Sequence, residues 1–267
     1  MPLSSLQQRC ITSVTLVAVL FLALYFGGLF LVSVVTIFSV IALHEFYSMF
    51  WKEESRSLSK MMGMLSGAAI VLTGALASHT WMLVLLLGLF WVFNFKFLFS
   101  YSSSPGRTSY NDSMVLFSGL IYIPLTLQFL TSMNSWEIIF VLLSSSASDT
   151  AAFYAGTYFG KKKIWPRISP KKSWAGSIGG FTACVICCTV YGLFLGHASV
   201  IAWVILAGSL NIASQMGDFF ESALKRKLDI KDSGNILPGH GGVLDRIDSL
   251  VLALPVYILA RQIHAFF

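Results

Sequence analysis

The sequence predicts an all-α, polytopic integral membrane protein, a helical bundle with about nine transmembrane helices. Three observations carry this expectation. Of the 267 residues, 56% are hydrophobic and only 11% are charged, and the mean hydropathy is +0.75. A soluble chain of this length needs a far more polar surface, and it is too short to hide so many apolar segments in one core. The apolar residues also come in long continuous runs, not in the short alternating segments of a membrane barrel. Finally, nearly all cations fall between these runs.

At about 20 residues per crossing, the runs lie near 10–27, 29–50, 61–78, 80–100, 113–131, 136–158, 177–196, 198–220 and 249–266. The first follows Arg9 and shows no small-residue cleavage site, so it reads as a retained helix and not as a signal peptide. Gly27-Gly28 turns it into the second. Lys52, Arg56 and Lys60 separate the second from the third, and Ala77-Ser78-His79-Thr80 joins the third to the fourth. Lys96 and Arg107 precede the fifth, and the stretch around Asn134 leads into the sixth. Lys161, Lys162, Lys163, Arg167, Lys171 and Lys172 stand between the sixth and seventh. Gly196-His197 connects to the eighth, and Lys225, Arg226, Lys227, Lys231 and Arg246 precede the ninth. Every second connection is thus basic, and together these hold sixteen of the eighteen Lys and Arg residues. The positive-inside rule predicts this alternation for an odd number of spans, with both termini outside the cytoplasm. The net charge of +6 is accordingly a matter of topology, and a nucleic-acid partner is not expected. Cys184 and Cys187 have CxxC spacing without a second pair or a His cluster, so they read as helix packing.

The polar stretches are unequal. Residues 1–131 have short, ordinary connections; residues 132–267 hold two long ones, 159–176 and 221–248, both on the predicted cytoplasmic side. Chemistry is therefore expected in a C-terminal catalytic region, 132–267, following an N-terminal set of membrane helices, 1–131.

The richest stretch begins at Gly217-Asp218 and runs through Glu221, Ser222, Lys225 and Arg226. It continues the eighth span and reads as helix, which places Asp218, Ser222 and Lys225 on one face at i, i+4 and i+7. Polar groups of this kind at a membrane boundary are costly unless they serve a purpose, although a helix end dressed with solvated charges also has this look. Lys231-Asp232-Ser233-Gly234 follows, and then Pro238-Gly239-His240-Gly241-Gly242, a loop whose backbone amides can cradle phosphate oxygens. His240 reads either as an acid/base or phosphate donor or as a structural loop histidine. The loop runs into Asp245-Arg246-Ile247-Asp248 at the positive end of the last helix. Hard divalent cations take carboxylates plus substrate phosphates, so Asp218 and Asp245 are expected to hold a metal; a helix-end cap also accounts for Asp245. Upstream, Asp149 lies in an apolar run behind a series of serines, and an ionisable residue there is a functional candidate. The serines themselves also suit close helix packing. The block Ser169-Pro170-Lys171-Lys172-Ser173-Trp174 reads as a phosphate-binding turn within a basic loop.

Residues 222–248 resemble the hallmark motif of phosphatidate cytidylyltransferases, through Ser222, Lys225, Arg226, Lys231, Asp232, Gly234, His240, Gly241, Gly242, Asp245, Arg246 and Asp248. Gly217-Asp218 and the Ser169–Ser173 block are similar to the family as well, so the resemblance covers about the C-terminal half. It implies an Mg²⁺-dependent enzyme that takes CTP from the cytoplasm and phosphatidate from the bilayer, and makes CDP-diacylglycerol and pyrophosphate; the compact size and few loops point to a bacterial inner-membrane form, with an organelle membrane as the alternative. In that reading Asp218 and Asp245 hold the metal, and Asp248 and Asp149 serve a second cation or its surroundings. Ser222 ligates or orients, and Lys225, Arg226 and Arg246 meet phosphates. Lys171, Lys172 and Ser173 bind the lipid phosphate or the triphosphate, with Lys231, Asp232, Gly241 and Gly242 in the substrate site. A homodimer is the candidate assembly. CTP-dependent lipid kinases, CDP-archaeol synthases and, from another class, transporters are the rival readings.

Overall fold

The computed structural model describes residues 5–51, 56–103 and 109–267, so Lys52 and Arg107 of the predicted basic connections lie outside the described residues. Long helices follow one another: α1 Ser5–Phe26, α2 Gly28–Phe50, α3 Ser57–Leu76, α4 His79–Ser103, α5 Tyr110–Tyr122, short α6 Pro124–Leu127 running into a 3₁₀ turn, α7 Ser135–Phe159, α8 Trp174–Leu195, α9 Val200–Lys227 and α10 Leu244–Ile263. Among the described residues, eight stretches are long and apolar enough to cross a bilayer. They are α1 to α4, the broken stretch Tyr110–Ser132, and α7 to α9. α10 has 20 residues, enough for a crossing, but carries Asp245, Arg246, Asp248 and Arg261. The protein is an integral membrane protein built from helices.

Two of the expected spans differ in detail. The fifth is broken, because Pro124 has no N–H to continue the hydrogen-bond ladder of α5 and instead starts the next turn at its N1 position. The last begins at Leu244, earlier than hydropathy alone places it, since the polar turn Asp245–Asp248 is already helical.

The chain forms two compact units, Met1–Ser132 with Asp232–Asp245, and Met133–Lys231 with Arg246–Phe267. In the first, α2 packs on α3, and α5 packs on α3 and α4. The ends of these helices are tied together by charge. Asp112 at the start of α5 pairs with Arg56 before α3 and accepts from the Trp51 indole after α2 at 3.0 Å, while Lys96 of α4 donates to Ser59 of α3 at 2.7 Å. Arg56 and Lys96 are thereby held at helix ends of this unit that also carry Asp112 and Trp51.

In the second unit α7 and α8 approach very closely, because small residues line both faces. Cβ atoms built on Gly176 and Gly180 would meet the carbonyl oxygens of Ala152 and Ser148, each at 2.8 Å. Such small-residue seams substitute for the hydrophobic drive that lipid removes. Ser148, Ser145 and Asn211 then form a buried polar seam with α9: Asn211 Nδ2 donates to Ser148 Oγ at 2.7 Å, and the Ser145 and Ser214 hydroxyls lie 3.2 Å apart. Of the CxxC pair read as helix packing, Cys184 is buried in α8 together with Cys188, but Cys187 points away from the packed face and is exposed. At the far end of α7, Asn134 and Glu137 form a capping box, and the Glu137 carboxylate accepts from Tyr257 at 2.9 Å and Arg261 at 3.1 Å. A Gly180→Val substitution is expected to destabilise the protein by about 1–3 kcal/mol through overpacking, read as a lower melting temperature in detergent; an unchanged melting curve would show that the seam can open at no cost.

Candidate active site

α9 remains helical past the membrane-like part of its sequence to Lys227, which carries its polar face beyond the apolar run. Asp218 and Ser222 share that face as the spacing predicts, with Ser222 Oγ donating to Asp218 Oδ1 at 3.3 Å. Lys225 turns to Glu221 instead, donating to its Oε2 at 2.7 Å, and Glu221 is wholly buried. Gly217 allows the backbone of α10 to come close: a Cβ there would lie 2.5 Å from the Asp248 carbonyl oxygen. Asp248 is thereby set against Glu221 and within charge reach of Asp218. Its Oδ1 accepts from the Ser249 amide at 2.7 Å.

The basic loop between α7 and α8 closes on itself before it reaches this face. Residues Lys163 and Ser173 form an antiparallel bridge, Trp174 N donates to the Lys162 carbonyl at 3.0 Å, and Lys163 Nζ donates to the Lys171 carbonyl at 3.2 Å. Ser173 is the N-cap of α8, accepting from Gly176 N at 3.2 Å. It is buried against Gly156, where a Cβ would lie 3.2 Å from its Oγ. This fold presents Lys172, whose ammonium pairs with Asp218 and stands 4.4 Å from the centroid of the Phe219 ring. Arg226 spends its guanidinium on the same loop and its own helix end, reaching the Ile168 carbonyl at 3.4 Å and that of Ile230 at 3.3 Å.

A cavity of ≈ 590 Å³ opens beside these groups, with Asp149, Lys163, Lys171, Lys172, Ser173 and Gln215 in its wall. Asp149 feels the charges of Asp218, Lys172 and Arg246. The second unit thus brings together Asp149, Lys171, Lys172, Ser173, Asp218, Ser222, Arg246 and Asp248. Asp149, Lys171, Lys172 and Ser173 line the cavity itself, and Asp218 adjoins it through its pairing with Lys172, an arrangement that suits the binding of polyanions and of a cation among them. Among the described residues no group of three or more His, Cys, Asp or Glu side chains converges on a metal position. Mg²⁺ does not require one, since one or two carboxylates and substrate phosphates suffice.

The glycine-rich loop belongs to the first unit. Leu237-Pro238-Gly239-His240 is a tight turn closed by His240 N donating to the Leu237 carbonyl at 2.9 Å. Gly239 at φ 74° takes the left-handed position that such a Pro-Gly turn demands. The His240 ring meets Ser13 of α1, Nε2 to Oγ 3.3 Å, a partner that the sequence did not disclose. Asp245 turns its carboxylate on the loop, accepting from Gly242 N at 2.9 Å and Ser233 N at 3.1 Å, so it clasps the loop's two ends. Lys231 and Asp232 are exposed.

Glu45 was not singled out in the sequence, although it obeys the rule that picked out Asp149: an ionisable residue inside an apolar run. It is 2% exposed, its Oε2 accepts from the Leu244 amide at 2.8 Å, and the Val243 amide is turned toward the same carboxyl group. Gly234 and Gly242 lie so near its carboxyl group that a Cβ on either would come within 2.8 Å of a carboxyl atom. Gln215 was also missed, and Glu221, read in the sequence as part of the polar stripe, was given no role there. Their only sequence signal is helical spacing, Glu221 four residues before Lys225 and Gln215 four after Asn211, where Nε2 meets the Asn211 side-chain oxygen.

Comparison with known proteins places the whole chain in a family. Residues 7–264 match the model of the cytidylyltransferase family. A Staphylococcus aureus (strain COL) protein named phosphatidate cytidylyltransferase is 31% identical over 258 residues, covering 94% of this chain and 97% of its own. Proteins of the same name from Bacillus subtilis (strain 168) and Haemophilus influenzae are 43% identical over 110 residues and 38% over 125. These cover 41% of both chains in the first case, and 45% of this chain and 43% of the other in the second. With the match running through both compact units, from α1 to the end of α10, the chain belongs to the cytidylyltransferase family.

Proposed function

We propose that the protein is a CTP:phosphatidate cytidylyltransferase of the bacterial inner membrane, forming CDP-diacylglycerol with its basic connections on the cytoplasmic side. The observation that carries this reading is the cavity of the second unit, lined by Asp149, Lys171, Lys172 and Ser173, with Lys172 paired to Asp218 of α9. An oxygen of the lipid phosphate forms a bond to the α-phosphorus of CTP, the bond from that phosphorus to the bridging oxygen breaks, and pyrophosphate leaves with the electron pair. The attacking oxygen is already anionic, so the chain needs no nucleophile of its own. Its task is to bring anions together and stabilise the charge that develops.

Lys171 and Lys172 receive a phosphate, and the N-terminus of α8, capped by Ser173, adds its dipole. Arg246 balances the acids of the cavity wall. The donor set fits Mg²⁺, with Asp218 as the carboxylate ligand, Ser222 orienting it, and Asp149 and Asp248 near enough for the ion's surroundings or a second cation. Such an ion, when bound, neutralises triphosphate charge. Lys172 then exchanges its pairing with Asp218 for a substrate phosphate. Asp245 and Glu45 shape the glycine-rich loop, whose amides suit phosphate oxygens. The test is pyrophosphate release by the detergent-purified protein, with the lipid product identified by mass. CDP-diacylglycerol formed only when phosphatidate, CTP and Mg²⁺ are all present is the expected result. CDP and a newly phosphorylated lipid would overturn the reading in favour of a CTP-dependent kinase.

A further inference from the structure

The polar cavity does not end at its cations. A second hollow of ≈ 390 Å³ adjoins it and shares Ile164, Ser177 and Gln215 with it. Its other walls are apolar, with Trp165, Ile178, Phe181, Ile212, Met216 and Phe219 prominent among them. Ile178 and Phe181 come from α8, and Ile212, Met216 and Phe219 follow one another along α9 at helical spacing, over about 10 Å of helix axis. Phe181 fits against α9 because Gly208 leaves room, a Cβ there lying 3.2 Å from its ring.

The junction of the two hollows is built. Ser177 donates to the Gln215 side-chain oxygen, which forms a polar partition between them. Beside it, Phe219 is 5% exposed and closes the end of the groove, with the Trp165 ring edge-on at 4.7 Å between centroids and the Lys172 ammonium over its face. Trp165 comes from the basic loop, not from a membrane helix, so this loop supplies both the cation and an apolar wall. A cationic end and an apolar continuation complement one kind of ligand, an anionic head with a hydrocarbon tail.

We propose that the groove between α8 and α9 seats an acyl chain of the phosphatidate substrate, so that Ile178, Phe181, Ile212 and Met216 set acyl-chain preference. The proposal rests on the cytidylyltransferase reading for the identity of the headgroup. Hydrocarbon gains nothing by leaving lipid tails for an apolar groove, so selectivity here comes from shape and from the position of the head, not from hydrophobic transfer. A chain too long or too thick for the groove pulls the phosphate away from Lys172; a groove made too narrow does the same to an ordinary chain.

Two measurements test this. Met216→Trp, which fills the groove, is expected to raise the KM for a long-chain phosphatidate about tenfold, to raise that for a short-chain phosphatidate much less, and to leave the KM for CTP at the wild-type value. Met216→Ala is expected to shift preference toward bulkier chains. Equal effects on all chain lengths, or none, would overturn the proposal. The second measurement does not depend on turnover. Phosphatidate carrying a photoreactive group on one acyl chain is expected to label α8 and α9 peptides containing these residues, and unlabelled phosphatidate but not phosphatidylcholine should suppress it. Suppression by both lipids alike, or labelling elsewhere, would show that bulk lipid covers the groove. If the wild-type protein makes no CDP-diacylglycerol while labelling remains phosphatidate-selective, the reading of the reaction fails and the groove stands.

Discussion

Exchanging Asp218 for Asn is expected to cut turnover at least about a hundredfold, the scale on which a single charge-stabilising group in an active site acts. The substitution keeps the shape of the side chain and its contact with Ser222, so folding is not at issue. It removes the charge that pairs with Lys172 and the proposed anionic ligand for Mg²⁺. Pyrophosphate release measured against rising Mg²⁺ checks it. Asp218→Glu, which keeps the charge on a longer arm, should recover part of the rate at high Mg²⁺, and Asn should not. Lys172→Gln is expected to raise the KM for phosphatidate. Because Asp218 and Lys172 touch, their losses should not multiply in the double variant. An Asn variant with near-wild-type turnover at limiting Mg²⁺ would sink the assignment.

The reasons why this site was partly legible are local. The polar face of α9 was readable because helical periodicity continues straight out of an apolar span, so that Asp218 and Ser222 had to share a stripe. What Lys225 does was not readable from the same stripe. Glu221, one residue round the helix, is buried and holds it through an i, i+4 pair, whereas the neighbour four residues before Ser222 is Asp218. The spans were legible as apolar runs, but hydropathy does not register a missing amide, so the break at Pro124 was hidden in a run that stays apolar throughout. Likewise, hydropathy started the last helix after its polar first turn. The serines before Asp149 proved to be packing and network residues, with Ser148 held by Asn211, and Asp149 faces the cavity. The partners of the glycine-rich loop were the least legible, since Ser13 and Glu45 lie about two hundred residues away in sequence, and no local spacing connects them to it.

That distance makes Glu45 the sharper test of what the N-terminal helices contribute. Glu45→Ala is expected to leave the buried amides of Val243 and Leu244 without their acceptor, at a cost of about 1–3 kcal/mol for each such group. These amides sit where the glycine-rich loop enters α10, with Val243 2% and Leu244 0% exposed. Gly234 and Gly242, pressed against the same carboxyl group, would lose the surface that sets their spacing. The loop between Asp232 and Leu244 should then exchange its amide hydrogens faster, by one to two orders of magnitude for each 1.4–2.8 kcal/mol of lost protection, and turnover should fall with it. Glu45→Gln should be intermediate, because an amide keeps one acceptor oxygen but turns N–H donors toward backbone N–H groups. A general loss of folding would speed exchange in α3 and α5 as well, whereas loss of the clasp alone is confined to residues 232–245. Unaltered exchange in that segment of the Ala variant would mean that Asp245, which bonds Ser233 and Gly242 from within, holds the loop without help from α2.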